Sequence, residues 1–162
     1  MTPLVRVFVI AAVWVAIHIG SGYIAHRIPL EWFLRDRALF RTRRFESDGR
    51  LYRRVFQVHR WKDALPEAGA AFEGGFAKRS LSGIDAEYLE RFVAETRRAE
   101  LTHWLPLAFS LSFFVWNPVN IAVWMPLYAV LSNAPFIVVQ RSNRPRLQRA
   151  AERAGRRQRK EM

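Results

Sequence analysis

Two carboxylates and a histidine, Glu95, Glu100 and His103, stand within nine residues of one another beside a 36-residue run, Trp104 to Val139, that holds no charge. Histidine is the side chain whose ordinary pKa lies near operating pH, which suits a base that removes a proton from an attacking group. A carboxylate on the second ring nitrogen fixes the tautomer and stabilises the imidazolium that forms. Glu100 and His103 are three residues apart, hence neighbours on a helix. Glu95 lies further back and is placed to replace Glu100. Arg97 and Arg98 complete a set of four charges and a histidine at the edge of the uncharged run, a pattern that predicts chemistry at a membrane surface.

These residues need a helix to position them. One is expected to begin near Asp85 and run into the uncharged stretch. At 100° per residue, Tyr88, Leu89, Phe92, Val93, Thr96, Ala99, Glu100 and His103 share one face. Glu90, Arg91, Ala94, Arg97 and Arg98 fall on the other, so Arg97 and Arg98 are expected to face water or phosphate. Ahead of this helix, Leu51, Tyr52, Val55, Phe56 and His59 recur at helical spacing among arginines. They predict a basic amphipathic helix for the head-group layer. Ser47-Asp48-Gly49 reads as a turn before it, and residues 67–83 as an irregular loop.

Charge is segregated along the 162 residues. Residues 1–25 hold one charge, Arg6; residues 26–103 hold 16 basic and 12 acidic; residues 141–162 hold nine basic and two acidic. Residues 4–25 match the ~20 apolar residues needed to cross ~30 Å of hydrocarbon, a cleaved signal peptide being the rival reading. The uncharged run would be ~54 Å as one helix, too long for a single crossing. Asn117-Pro118 breaks it into arms of ~24 Å (Leu101–Trp116) and ~31 Å (Val119–Val139). The chain is therefore expected to be mainly α and a multi-pass cell-membrane protein. It divides into an N-terminal transmembrane helix (1–25), an amphipathic interfacial segment (26–100), a C-terminal transmembrane hairpin (101–140) and a basic tail (141–162). Three crossings would put the middle segment and the tail on one side, the cytoplasmic one by the positive-inside rule. The net charge of +12 then belongs to lipid head groups rather than to nucleic acid. There is no cysteine, so thiol catalysis and cysteine metal sites are excluded.

A set of further residues resembles one family. Trp61-Lys62-Asp63 with Leu65-Pro66, Gly75-Phe76, Lys78, Tyr88-Leu89, Glu95-Thr96, Arg98-Ala99-Glu100, His103-Trp104, Trp116-Asn117-Pro118, Asn133, Pro135-Phe136 and Gln140-Arg141 resemble, in order and spacing, glycosyl-4,4'-diaponeurosporenoate acyltransferase of staphyloxanthin synthesis. The likeness covers about residues 45–146. It implies an O-acyltransferase that esterifies a sugar hydroxyl of a glycosylated carotenoid or terpenoid lipid with a fatty acyl group. His103 is then the candidate base, with Glu100 or Glu95 orienting it. Arg98, Lys62 and Lys78 are candidates for the acyl donor, which would be acyl-coenzyme A or an acyl carrier protein, and Arg141 is a candidate for substrate or donor. Asn117, Asn133 and Gln140 would orient the glycoside or join helices. No cofactor is implied, and membrane lipids or a larger membrane complex are the further partners. Two rivals stand beside this reading. One is a non-catalytic membrane subunit or assembly factor. The other is a metal-dependent enzyme, since Glu-x-x-His is half of a di-iron pattern whose second half is missing here.

Overall fold

The computed structural model describes residues 1–65 and 85–161. Its helices are α1 (Pro3–Arg27), α2 (Leu30–Leu34), α3 (Arg50–Arg54), α4 (Ala86–Phe109), α5 (Val119–Ala122) and α6 (Trp124–Glu161), with 3-10 turns between them and no strand among the described residues. The loop expected at 67–83 lies outside those residues.

Helix α1 starts where Thr2 accepts the Val5 N–H at 3.4 Å and Pro3 supplies a fixed φ at the first position. It runs unbroken for 25 residues through Gly20, Ser21 and Gly22. Its packed stripe is Trp14, Ser21, Gly22 and Ala25, spaced at helical intervals. The last three are small enough for a neighbouring helix to approach closely. Helix α4 begins at Asp85, whose carboxylate accepts the Tyr88 N–H at 2.8 Å, and gives way to a 3-10 turn at Ser110–Val115. Pro118 then opens α5, and α6 continues past residue 140 into the basic tail without a break.

Contacts between the long helices give the register. Thr96 meets Arg144, Glu100 meets Arg141, and His103 meets Phe136. As α4 advances α6 recedes, so the two form an antiparallel hairpin. At its tip Trp14 of α1 stacks on Phe113 at 5.0 Å and meets Tyr128 edge-on at 4.7 Å. At the other end the carbonyl of Ile28, which caps α1, accepts from Arg98 of α4. Helix α1 therefore runs parallel to α6, and the bundle has an apolar tip and a polar end. Glu46–Arg141 and Asp48–Arg149 hold the middle segment against α6 at that polar end, beside the basic tail.

Two helical stretches, Pro3–Arg27 and Val119–Glu161, are long and apolar enough to cross a membrane. The first hairpin arm is not a third, because it leaves the α-helix at Phe109. Leu4, Phe8 and Val15 of α1 and Leu111, Val115, Trp124 and Leu131 of the hairpin are exposed. Exposed apolar side chains gathered at one end of a bundle are the kind of surface that marks a membrane or partner contact.

The basic amphipathic helix expected over residues 51–59 is five residues long. Gln57 turns left-handed at φ 48°, and short 3-10 turns follow. Its one deeply buried side chain, Tyr52, packs beside Arg141 and Glu46. Burial, then the Glu46 carboxylate, holds the Tyr52 hydroxyl above its usual range and thus protonated. The turn expected at Ser47-Asp48-Gly49 is present, with φ of 47°, 54° and 79°. Gly49 is required twice over. Its φ is left-handed, and a Cβ there would stand 2.8 Å from the Ser142 carbonyl oxygen of α6.

Gly49→Ala should therefore destabilise by about 2–3 kcal/mol, combining αL strain with a backbone clash. Ser47→Gly, which removes strain, should be neutral or stabilising. Thermal unfolding in detergent reads both; equal melting temperatures for wild type and Gly49→Ala would mean the turn does not press on α6 as described. Cysteines placed at Asp48 and Arg157 in turn should react with an impermeant reagent from the same side, since both lie at the polar end of the bundle. Labelling from opposite sides would break the proposed arrangement.

Candidate functional site

At the polar end, six successive residues of α4, Phe92 to Arg97, are buried. A helix covered all round at one level has neighbours on both sides, and they are α6 and the 28–40 segment. Phe33, Phe40 and Ala94 form the core between α4 and that segment. The water-facing role expected for Arg97 and Arg98 is thereby overturned. Arg97, 3% exposed, donates to the carbonyls of Phe33 and Leu34 at 2.8 and 2.9 Å and to Asp36 at 3.2 Å. It caps the C-terminal end of α2, where a cation also complements the helix dipole. Arg98 pairs with Glu95 at 2.7 Å and donates to Ile28 O at 3.2 Å. It thus closes α1 against α4 and is not presented to a donor. Glu95, expected in reserve for Glu100, is the buried partner of that arginine.

Facing α6, the same helix contributes Thr96 and Glu100. Glu100 is fully buried. Its Oε1 accepts from Arg141 Nε at 2.7 Å and Trp104 Nε1 at 3.0 Å, and its Oε2 from Arg144 at 2.5 Å. Arg141 also donates to Glu46 and to Leu39 O. Arg144 adds Thr96 Oγ1 at 2.9 Å and Phe40 O at 2.7 Å. Two carboxylates and two guanidinium groups cancel, which is the condition for holding four charges in a fold interior. Arg141, a candidate for substrate or donor binding, is engaged here within the fold. Glu46, Thr96 and Arg144 were not among the sequence candidates. The first acid after the basic cluster Arg41 to Arg44 was the available signal for Glu46.

The expected Glu100–His103 pair does not form. Both lie on one side of α4, but no hydrogen bond joins them, because both carboxylate oxygens face cations. The carboxylate of the Glu-x-x-His pattern is thus held by two arginines in this structure. His103 instead turns to α6. Its Nδ1 lies 3.0 Å from Asn133 Oδ1, and its ring stacks on Phe136 at 4.4 Å and 12°. Asn133, 1% exposed, donates through Nδ2 to Ala129 O at 2.9 Å and meets Ser132 Oγ at 3.0 Å. A backbone carbonyl only accepts, so the amide nitrogen faces Ala129 and the amide oxygen faces the histidine. That oxygen only accepts as well. In the neutral imidazole the hydrogen is therefore on Nδ1 and the basic lone pair on Nε2.

The remaining candidates disperse. Asn117 is buried at the hairpin tip and donates to Phe113 O at 3.2 Å, so it joins the turn rather than the site. Gln140 is half-buried on α6, seven residues from Asn133 and four from Phe136, hence on their face of the helix. Lys62 pairs with Asp63 at 2.6 Å in an exposed turn. Lys78 lies outside the described residues.

Glu100→Gln should cost about 3–5 kcal/mol, since it strands Arg144 and half-buried Arg141 without a counter-charge. The loss should be read as a lower unfolding temperature and a smaller folded yield. Replacing Glu100, Arg141 and Arg144 together by apolar residues of similar volume should recover much of it. A Glu100→Gln protein that melts normally yet has lost activity would return Glu100 to the chemistry.

Comparison with known proteins bears on this site. A family model described as glycosyl-4,4'-diaponeurosporenoate acyltransferase matches residues 36–153. The chain is 30% identical over 136 residues to proteins of that name from Staphylococcus aureus strains bovine RF122 / ET3-1 and USA300, covering 83% of this chain and 81% of each relative. No solved structure matches it.

Proposed function

The chain belongs to the glycosyl-4,4'-diaponeurosporenoate acyltransferase family, and we propose that it is a membrane O-acyltransferase that esterifies a sugar hydroxyl of a glycosylated carotenoid or related terpenoid lipid with a fatty acyl group. The relatives' name speaks for that acceptor class. The exposed apolar side chains of α1 and the hairpin support a location in the bilayer. A terpenoid chain lying in hydrocarbon would bring its sugar to the level where the apolar tip of the bundle meets its polar end. His103 stands at that level.

The observation that carries the mechanism is the orientation of His103 by Asn133. In this reading Nε2 removes the hydroxyl proton as the sugar oxygen attacks the carbonyl carbon of a thioester donor. The C–O bond forms, the C–S bond breaks, and the imidazolium returns its proton to the leaving thiolate. Asn133 is a positioning residue, the neutral counterpart of the aspartate in a Ser-His-Asp arrangement, as in enzymes that use Cys-His-Asn. Gln140, on the same face of α6, is the side-chain amide placed to hold the sugar or the oxyanion. The donor is acyl-coenzyme A or an acyl carrier protein.

His103→Ala should lower turnover by ~10²–10⁴-fold while insertion and folding stay close to normal. Asn133→Asp should retain activity, and its carboxylate should stabilise the imidazolium and move the acid limb of the rate profile to higher pH. Combining both changes should be no slower than His103→Ala alone, because nothing is left to orient. The lipid extract of cells lacking the protein should lack the acylated glycoside. An unchanged extract refutes the acceptor class; normal acylation by His103→Ala refutes the base.

A further inference from the structure

We propose that the cleft between the Ser47-Asp48-Gly49 turn and α3 is a phosphate-binding site. It is a shallow, half-open cleft of about 300 Å³ lined by Ser47, Arg50, Leu51, Arg54 and Val55. Arg50 and Arg54 are exposed and four residues apart on α3, so their side chains lie one above the other. Arg50 is steadied by its Nε, which donates to Ser47 O at 3.2 Å. Its two terminal amino groups, and the whole guanidinium of Arg54, have no protein acceptor among the described residues.

This sets them apart from Arg97, Arg98, Arg141 and Arg144, each of which is paired with a carboxylate. Asp48, two positions before Arg50 in the chain, pairs with Arg149 of α6 at 3.5 Å. Two like charges at this spacing repel and weaken the helix that carries them. A bound anion with several acceptor oxygens turns that repulsion into two charge-assisted contacts. Leu51 and Val55 make the second wall apolar, and Val55, Phe56 and Phe45 are exposed around it at 64%, 50% and 67%. Phosphate attached to an amphiphile fits such a mixture better than a free ion. The phosphate of an anionic lipid head group and those of a coenzyme A thioester share this chemistry. The site stands independently of the reaction assigned to His103.

The test compares Arg50→Gln/Arg54→Gln with a control, Arg153→Gln/Arg157→Gln, which removes the same charge from exposed tail positions. Each full-length protein is titrated with coenzyme A in a phosphate-free maltoside detergent. Each is then floated with phosphatidylcholine vesicles with and without phosphatidylglycerol. Loss of ~10-fold or more in coenzyme A affinity in the cleft variant alone assigns the site to the donor. The same loss confined to phosphatidylglycerol vesicles assigns it to the head group. Equal effects of the two variants, or none, would mean unspecific surface charge and would overturn the proposal. Arg54→Gln alone, whose side chain makes no hydrogen bond among the described residues, gives the same reading should the double variant fold poorly.

Discussion

The joining of α4, α6 and the 39–46 segment at the polar end centres on the carboxylate of Glu100. It sits on α4 with no exposure to solvent and draws in two guanidinium groups from α6. Those arginines then reach the carbonyls of Leu39 and Phe40 and the carboxylate of Glu46. One charge thus joins two long helices to a segment that has little regular structure of its own. The residues from 35 to 49 contain no α-helix, so ionic and carbonyl contacts, with Phe33 and Phe40 beneath them, hold that segment in place. A buried charge group of this kind adds little net stability over apolar packing, but it accepts very few alternative partners and so specifies the arrangement.

In the proposed reaction, stability and chemistry are divided between two adjacent places on the α4–α6 seam. Glu100 belongs to the first. His103, one turn further along, belongs to the second, where an uncharged amide takes the role that a carboxylate commonly has. An amide supports the imidazolium less than a charge would, but it can be buried against a helix without a counter-ion. Near hydrocarbon that difference decides which group can be accommodated.

The helices were legible from the sequence because their signals are local. A 22-residue apolar stretch, an Asn-Pro break and the periodicity from Tyr88 gave α1, the hairpin and the packed face of α4. The Ser-Asp-Gly turn was legible for the same reason. The partners of charged side chains were not. The spacing of Glu100 and His103 fits a catalytic pair, and only the approach of Arg141 and Arg144, more than forty positions away, decides otherwise. Arg97 and Arg98 looked solvent-facing because nothing local says that residues 28–40 fold back over that side of α4. The helix expected over residues 51–59 failed where Gln57 turned left-handed, a position with no glycine to announce it.

The order in which the chain is made adds a constraint of its own. Synthesis proceeds from the N-terminus, so Glu100 leaves the ribosome before Arg141 and Arg144 exist. Until they arrive, an isolated carboxylate beside an apolar arm opposes that arm's entry into lipid. In the proposed bilayer location, the first arm would stay at the aqueous boundary until those arginines are made. Glu100 would then be neutralised only as α6 closes on α4.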